Sequence, residues 1–309
     1  MIAPLYHHKN NTMKKQLIVT VFLTLLILFN MDSQAQTFKT IEADNLKLEV
    51  YNASENSFGV ASVTVYGKTD AVLIDAQFTL ADAEKVAQQI KNSGKKLTTI
   101  YVSHTDPDFY FGLEVFKKYF PEVTAYASPA TVESIKATAQ KKLDVWGGRL
   151  GKAITSNIVL PQVLKDNSIE LEGQKLEIVG LEEFPSKTFV WIPSIKAVVG
   201  GINVFGTTFH LWMADAQTAD ARKQWITILD QIEALHPAIV IPAHANSNSP
   251  FDLSAVKHTK GYIQFYEEAL KTSKTSDALI TALKTRYPTL TFETALQIGA
   301  KVNTGEMKW

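Results

Sequence analysis

The residues best placed to do chemistry are His104, Asp106 and Asp108, held in the short run Ser103-His104-Thr105-Asp106-Pro107-Asp108-Phe109. An imidazole followed by two carboxylates at alternate positions is a ligand mix suited to zinc, manganese or iron if a tight loop turns all three the same way. Spacing alone leaves a plainer alternative open. Asp106-Pro107-Asp108 is also ordinary turn chemistry, with a solvated histidine beside it. A second segment, Phe209-His210-Leu211-Trp212-Met213-Ala214-Asp215, places His210, Trp212 and Asp215 close together. The plain reading there is a buried structural histidine, with Asp215 capping a helix. Aromatic residues crowd the first loop (Phe109, Tyr110, Phe111), and Trp146 and Trp212 would join them if the fold brings them near. Tyr110 is the one offering a polar contact to an apolar, ring-bearing substrate.

The elements that must position these groups follow from hydrophobic periodicity. Strands are expected at Lys47–Tyr51, Val60–Tyr66, Ala71–Ile74 and Leu97–Val102, the last ending directly before Ser103. Helical spacing over Thr79–Ser93 is closed by Gly94, and Asp108–Tyr119 and Pro129–Leu143 also read as helices. Asp144–Lys165 reads as irregular, because Trp146-Gly147-Gly148 and Pro161 look like turns. Strands resume at Ser168–Leu171, Lys175–Leu181, Thr188–Ile192 and Ala197–Gly200. A helix at Ala219–Ala234, a strand at Ala238–Pro242 and C-terminal helices follow.

Composition narrows the function classes. The 309 residues are 46% hydrophobic and 20% charged, which is ordinary for a globular protein. Lys+Arg and Asp+Glu both number 31, and that balance argues against a nucleic-acid partner or a polybasic membrane role. There is no cysteine, so disulfides, thiolate metal sites and a cysteine nucleophile are excluded. Near the N-terminus, Met13-Lys14-Lys15, the apolar run Leu17–Phe29 and Ser33-Gln34-Ala35 read as a secretory signal with its cleavage site. The run is shorter than the roughly 20 residues that span a bilayer. Residues 1–35 are therefore expected to be a leader with an upstream extension carrying His7 and His8. Residues 36–309 are expected to form one domain, periplasmic or secreted, without a stable membrane anchor.

The ordered set of motifs resembles the metallo-β-lactamase fold superfamily. Ala71-Val72-Leu73-Ile74-Asp75 resembles its strand ending in Asp, and the His104 loop resembles its His-x-His-x-Asp-His signature. Val198–Phe205 resembles the segment that carries Gly-Asp, and Ile239–His244 resembles its Pro-Gly-His ending. The resemblance implies an α/β four-layer αββα sandwich with a metal cleft at one edge. Residue by residue, His104 matches the first His, Asp108 the loop Asp and His244 the last His. Asp106 stands at the second His, Phe109 at the third, and Gly201 at the bridging Asp. Glu182 or Glu183 lies nearest the remaining His. What the resemblance implies is a site for at most one divalent metal, zinc first, with manganese or iron as alternatives. Its ligands would be His104, Asp106, Asp108, His244 and Glu183, with Asp108 also catalytic and Tyr110, His210, Trp212 and Asp215 contacting substrate. The expected activity is hydrolysis of a small ester, lactone or amide. The competing expectation is a metal-free small-molecule-binding protein on the same fold.

Overall fold

Apolar residues at alternate positions build a mixed sheet whose strands lie side by side in chain order. β1 (Phe38–Ala43), β2 (Leu46–Asn52), β3 (Ala61–Tyr66) and β4 (Asp70–Ile74) are antiparallel neighbours. β5 (Lys96–Val102), β6 (Thr124–Ala127) and β7 (Gln162–Val163) extend the sheet in parallel. The computed structural model describes residues 38–309; the leader read at Met13–Ala35, with His7 and His8, lies outside the described residues. A second sheet has the order β12-β11-β10-β9-β8, from β8 (Ser168–Leu171), β9 (Gln174–Val179), β10 (Phe189–Ile192), β11 (Ala197–Val199) and β12 (Ile239–Val240). In it only β11 and β12 run parallel.

The period of two decides which faces meet. Leu48, Val63, Val72, Ile74 and Tyr101 of the first sheet pack against Leu171, Leu176, Ile178, Val190 and Val199 of the second. Each fully buried Val, Leu or Ile side chain stabilises by roughly 1.5–3 kcal/mol, so a register slip of one residue is strongly disfavoured. Helices cover both outer faces. On the first sheet lie α1 (Leu80–Asn92), the single-turn α2 (Pro107–Tyr110), α3 (Leu113–Tyr119) and α4 (Pro129–Leu150). Val86, Ile90, Phe116 and Ile135 bury against Leu73, Ile100 and Val102 there. On the second sheet lie α5 (Ala219–Ala234), α6 (Leu253–Thr272), α7 (Ser276–Arg286) and α8 (Glu293–Asn303). Trp225, Ile228, Tyr262, Leu279 and Leu296 pack there with Trp191, Val198 and Val240. The result is the αββα sandwich expected from the sequence. Among the described residues, no helix is long and apolar enough to cross a membrane.

Three local features depart from the periodicity reading. The edge strand β1 forms where no strand was expected, because its half-buried residues pair in full register with β2. The helix expected over Asp108–Tyr119 breaks into α2 and α3 at Gly112, whose N–H turns to the Gln77 carbonyl. A Cβ at Gly112 would meet the Ala76 carbonyl oxygen at 1.9 Å, so only glycine lets the two backbones touch. The third departure matters most. α4 does not stop at Leu143 but continues through Gly147 and Gly148 to Leu150. Both glycines face open space. Their cost in helix propensity, about 1 kcal/mol each, is outweighed by the packing of the residues beside them.

Parallel strands that end together place their loops together. β4 is followed directly by Asp75, β5 by Ser103, and β11 of the other sheet by Gly200-Gly201. A buried hydrogen-bond chain ties the three. The Ser103 N–H and hydroxyl both donate to the Asp75 carboxyl (2.7 Å each), and the Gly201 N–H donates to Ser103 Oγ (2.7 Å). Thr188 Oγ1, itself paired with the Tyr101 hydroxyl (3.0 Å), donates to the Ser103 carbonyl (3.3 Å). This chain crosses from one sheet to the other directly under the His104 loop.

Candidate functional site

Asp106 begins α2, with Pro107 as its first helical residue, a position where proline's missing N–H costs nothing. Asp106 has the extended backbone of an N-cap, yet its side chain does not cap. It turns instead to Lys142 of α4, whose Nζ donates to Asp106 Oδ1 (3.0 Å) and to the Thr105 carbonyl (2.8 Å). The other oxygen, Oδ2, lies 3.5 Å from His104 Nδ1. The Asp106 N–H donates to that same Nδ1 at 3.3 Å. Burial pushes the Asp106 carboxyl up, but His104 and Lys142 outweigh it and hold the group below the usual carboxylate range. Burial lowers His104 to about 4.

A second pair sits beside the first. His244 Nε2 lies 3.7 Å from Asp108 Oδ2, and both side chains are almost wholly buried. His244 Nδ1 lies 3.0 Å from the Phe58 carbonyl. A carbonyl only accepts, so this nitrogen carries the proton and Nε2 presents its lone pair toward Asp108. Burial lowers His244 to about 4, and burial followed by the Asp106 charge pushes Asp108 well above its ordinary range. The Phe109 ring touches both histidines, edge-on to His104 at 5.3 Å and to His244 at 5.8 Å between centroids.

Above these pairs opens a cavity of about 420 Å³. Asp106, Asp108 and His244 lie at its polar end, and Phe58, Phe78, Trp146, Trp212 and Phe292 form aromatic walls. Phe58 is the hub of the walls, with ring centroids 5.3–5.9 Å from those of Phe78, Trp146, Trp212 and Phe292. Phe58 and Phe292 both adopt left-handed backbone (φ 63° and 66°), a strained conformation for bulky side chains. The Phe58 strain aims its carbonyl at His244 while its ring faces the cavity. α4 contributes Thr138, Lys141, Lys142, Val145, Trp146 and Arg149, one continuous face at three- and four-residue spacing. Arg149 lies over the Trp146 ring at 5.2 Å. At the mouth the Trp309 indole N–H donates to Asp215 Oδ1 (2.6 Å). Asp215 is reached by solvent but walled by protein on most sides, and this desolvation raises it to about 6.

The residues singled out in the sequence thus divide. Asp106, Asp108, His244, Trp212 and Asp215 line the cavity, as does Trp146; His104 lies behind Asp106. Tyr110 is buried beneath the loop with its hydroxyl unpartnered and does not line the cavity. His210 is fully buried, its Nδ1 3.0 Å from the Tyr262 hydroxyl, and is also absent from the lining. Glu183 is exposed and lies outside the lining. Lys142, Arg149, Phe58, Phe78, Phe292 and Trp309 were not singled out. The i, i+4, i+7 spacing of Lys142, Trp146 and Arg149 was the available signal, hidden by reading Gly147-Gly148 as a turn.

The residues present do not fit the one-metal site implied by the resemblance. Among the described residues, no group of three or more His, Asp or Glu side chains is arranged to hold a metal ion. The physical reasons are visible in the loop. The four candidate ligands form two separate His–carboxylate pairs, the Phe109 ring contacts both imidazoles, Lys142 holds Asp106, and backbone groups engage one nitrogen of each histidine.

Residues 56–194 match the family model described as the metallo-beta-lactamase superfamily. No curated protein matches the chain. Solved structures similar to it include a metallo-beta-lactamase from Pontibacter korlensis, at 20% identity and TM-score 0.52, covering 74% of this chain and 99% of that one. The DIM-1 metallo-beta-lactamase is similar at 19% identity and TM-score 0.52, covering 74% of this chain and 97% of its own. The IND-7 metallo-beta-lactamase stands at 16% and 0.52, covering 75% and 100%. At such identities the likeness concerns the fold.

Proposed function

Because this chain has the metallo-β-lactamase fold, with its residues 56–194 matching that superfamily, we propose that its cleft binds and hydrolyses a small, ring-bearing ester, lactone or amide by proton transfer through Asp108 and His244. The observation that carries this reading is the placement of that pair at the polar end of an aromatic-walled cavity of about 420 Å³, a size suited to a small molecule. A water beside the pair attacks the substrate carbonyl while His244 Nε2 takes one of its protons. The pair then returns a proton to the leaving oxygen or nitrogen and ends each cycle as it began. The Phe58 carbonyl fixes the imidazole so that Nε2 faces the reaction. Trp146 and Trp212 orient the substrate's ring. The N-terminal leader read in the sequence supports action outside the cytoplasm, in the periplasm or after secretion.

The test is a panel of aryl esters, lactones and arylamides assayed in chelator. Turnover that falls by about 100-fold or more in Asp108→Asn and in His244→Ala is the expected result. Absence of turnover, or turnover indifferent to both substitutions, overturns the proposal. The aromatic walls of the cavity also suit a second reading, binding without turnover. Retained ligand binding with no product would assign the cleft to that role.

A further inference from the structure

We propose that the Lys142 ammonium is a built-in counter-ion that takes, for the loop carboxylate Asp106, the part a metal cation would play. The inference rests on the metal-free reading of the cleft just given. It begins with α4, which carries Lys142 over the loop. Lys142 Nζ donates to Asp106 Oδ1 at 3.0 Å and to the Thr105 carbonyl at 2.8 Å, two oxygen ligands of the kind a hard cation would gather. Asp106 gives up its capping role to make this contact. Its other oxygen faces His104. A carboxylate so enclosed needs a positive neighbour, and an ammonium at hydrogen-bond distance supplies one.

Lysine and a divalent ion cannot share this position. Two cations within a few ångströms in a partly buried site repel strongly, so holding Lys142 against Asp106 opposes metal entry. Lys187 adds to the effect, since its charge also reaches His104 and Asp106. The other half of the loop offers no escape. Asp108 and His244 are paired with each other, and the Phe109 ring fills the space against both imidazoles. The loss of metal ligands noted in the sequence is therefore matched by a gain, a lysine delivered from a distant helix.

The experiment uses chelator-treated full-length protein, zinc ion as the probe, and no substrate. Zinc stoichiometry after dialysis and the melting temperature with and without zinc are measured for wild type, Lys142→Met and Lys142→Arg. Wild type is expected to retain no stoichiometric zinc and to melt at the same temperature with or without it. Lys142→Met is expected to melt roughly 3–8 °C lower, because Asp106 is left unpaired. Zinc is expected to restore much of that loss, while Lys142→Arg stays close to wild type and unresponsive to zinc. If Lys142→Met does not fold, the double variant Asp106→Asn/Lys142→Met serves instead. It should fold, because the uncompensated charge is gone. Stoichiometric zinc on wild type, a Lys142→Met protein that melts like wild type or ignores zinc, or a double variant no better than the single overturns the proposal. Turnover in chelator tests the hydrolase reading separately, so either idea can fail alone.

Discussion

Replacing Ser103 with alanine would cut the hydrogen-bond chain that holds the two sheets together beneath the site. Ser103 is fully buried, and its hydroxyl does two jobs: it donates to Asp75 Oδ2 and accepts from the Gly201 N–H, both at 2.7 Å. Alanine leaves a buried carboxyl oxygen without its donor and a buried N–H without its acceptor. Each orphaned group costs about 1–3 kcal/mol, so the expected loss is roughly 2–6 kcal/mol. That is a large share of the 5–15 kcal/mol typical of a whole domain. No rearrangement easily repairs it, since Gly201 sits at φ 77° with the Thr188 carbonyl only 2.4 Å from where a Cβ would stand.

Urea denaturation of wild type and Ser103→Ala at pH 7 reads the difference directly. The same chain predicts a pH dependence. Burial raises the Asp75 carboxyl from 3.8 to about 7. Between those values the folded protein holds a proton that the unfolded chain has released. The contribution of Asp75 is therefore full below about pH 4 and drains away as pH rises through 7, with a slope of at most about 1.4 kcal/mol per unit. Asp75→Asn should remove this slope. A Ser103→Ala cost below about 1 kcal/mol, or identical pH profiles for wild type and Asp75→Asn between pH 5 and 8, would refute the reasoning.

Other substitutions probe separate parts of the molecule. Gly112→Ala should destabilise by about 3 kcal/mol in a urea titration, because its Cβ would stand 1.9 Å from the Ala76 oxygen, a backbone atom that cannot swing aside. Arg222→Met removes a buried guanidinium that donates to Glu267, to the Ala216 carbonyl (2.8 Å) and to Asn303 Oδ1 (3.1 Å). A loss of roughly 2–4 kcal/mol is expected, read by thermal unfolding. Glu172 accepts N–H groups of Lys68, Thr69 and Asp70 (2.6–2.7 Å), and these bonds hold its carboxyl down at about 2. A depressed carboxyl stabilises above its ordinary 4.5 and loses that effect as pH falls toward 2. The melting-temperature gap between wild type and Glu172→Ala should accordingly be constant above pH 5 and shrink below pH 4.

Strand-end motifs were legible in the sequence because their logic is local. Ala71–Ile74 and Leu97–Val102 announce themselves by apolar runs, and Thr79–Ser93 by a helical repeat closed by Gly94; the structure makes Thr79 the cap of α1, accepting from the Asp82 N–H. β1 was not legible. Its residues are only half buried, and what orders them is pairing with β2 rather than a strong pattern of their own. Likewise Gly147-Gly148 carries a local turn signal that α4 overrides by packing Trp146 against Phe58 and Phe78.

Through its resemblance to the metallo-β-lactamase superfamily, the amino-acid sequence indicated the αββα layers, the His104 loop at the end of β5, and the departures from that superfamily's ligand pattern at Asp106, Phe109 and Gly201. Each of these rests on the type and order of residues along the chain. Tertiary structure decided what those departures became. Lys142 lies 36 positions beyond Asp106, and His244 reaches back 186 positions to the Phe58 carbonyl. Hydrogen bonds and charge pairs act over a few ångströms, so such partners are chosen by where the chain returns in space. Only the folded protein shows that the four candidate ligands become two His–carboxylate pairs, one of them neutralised by a lysine.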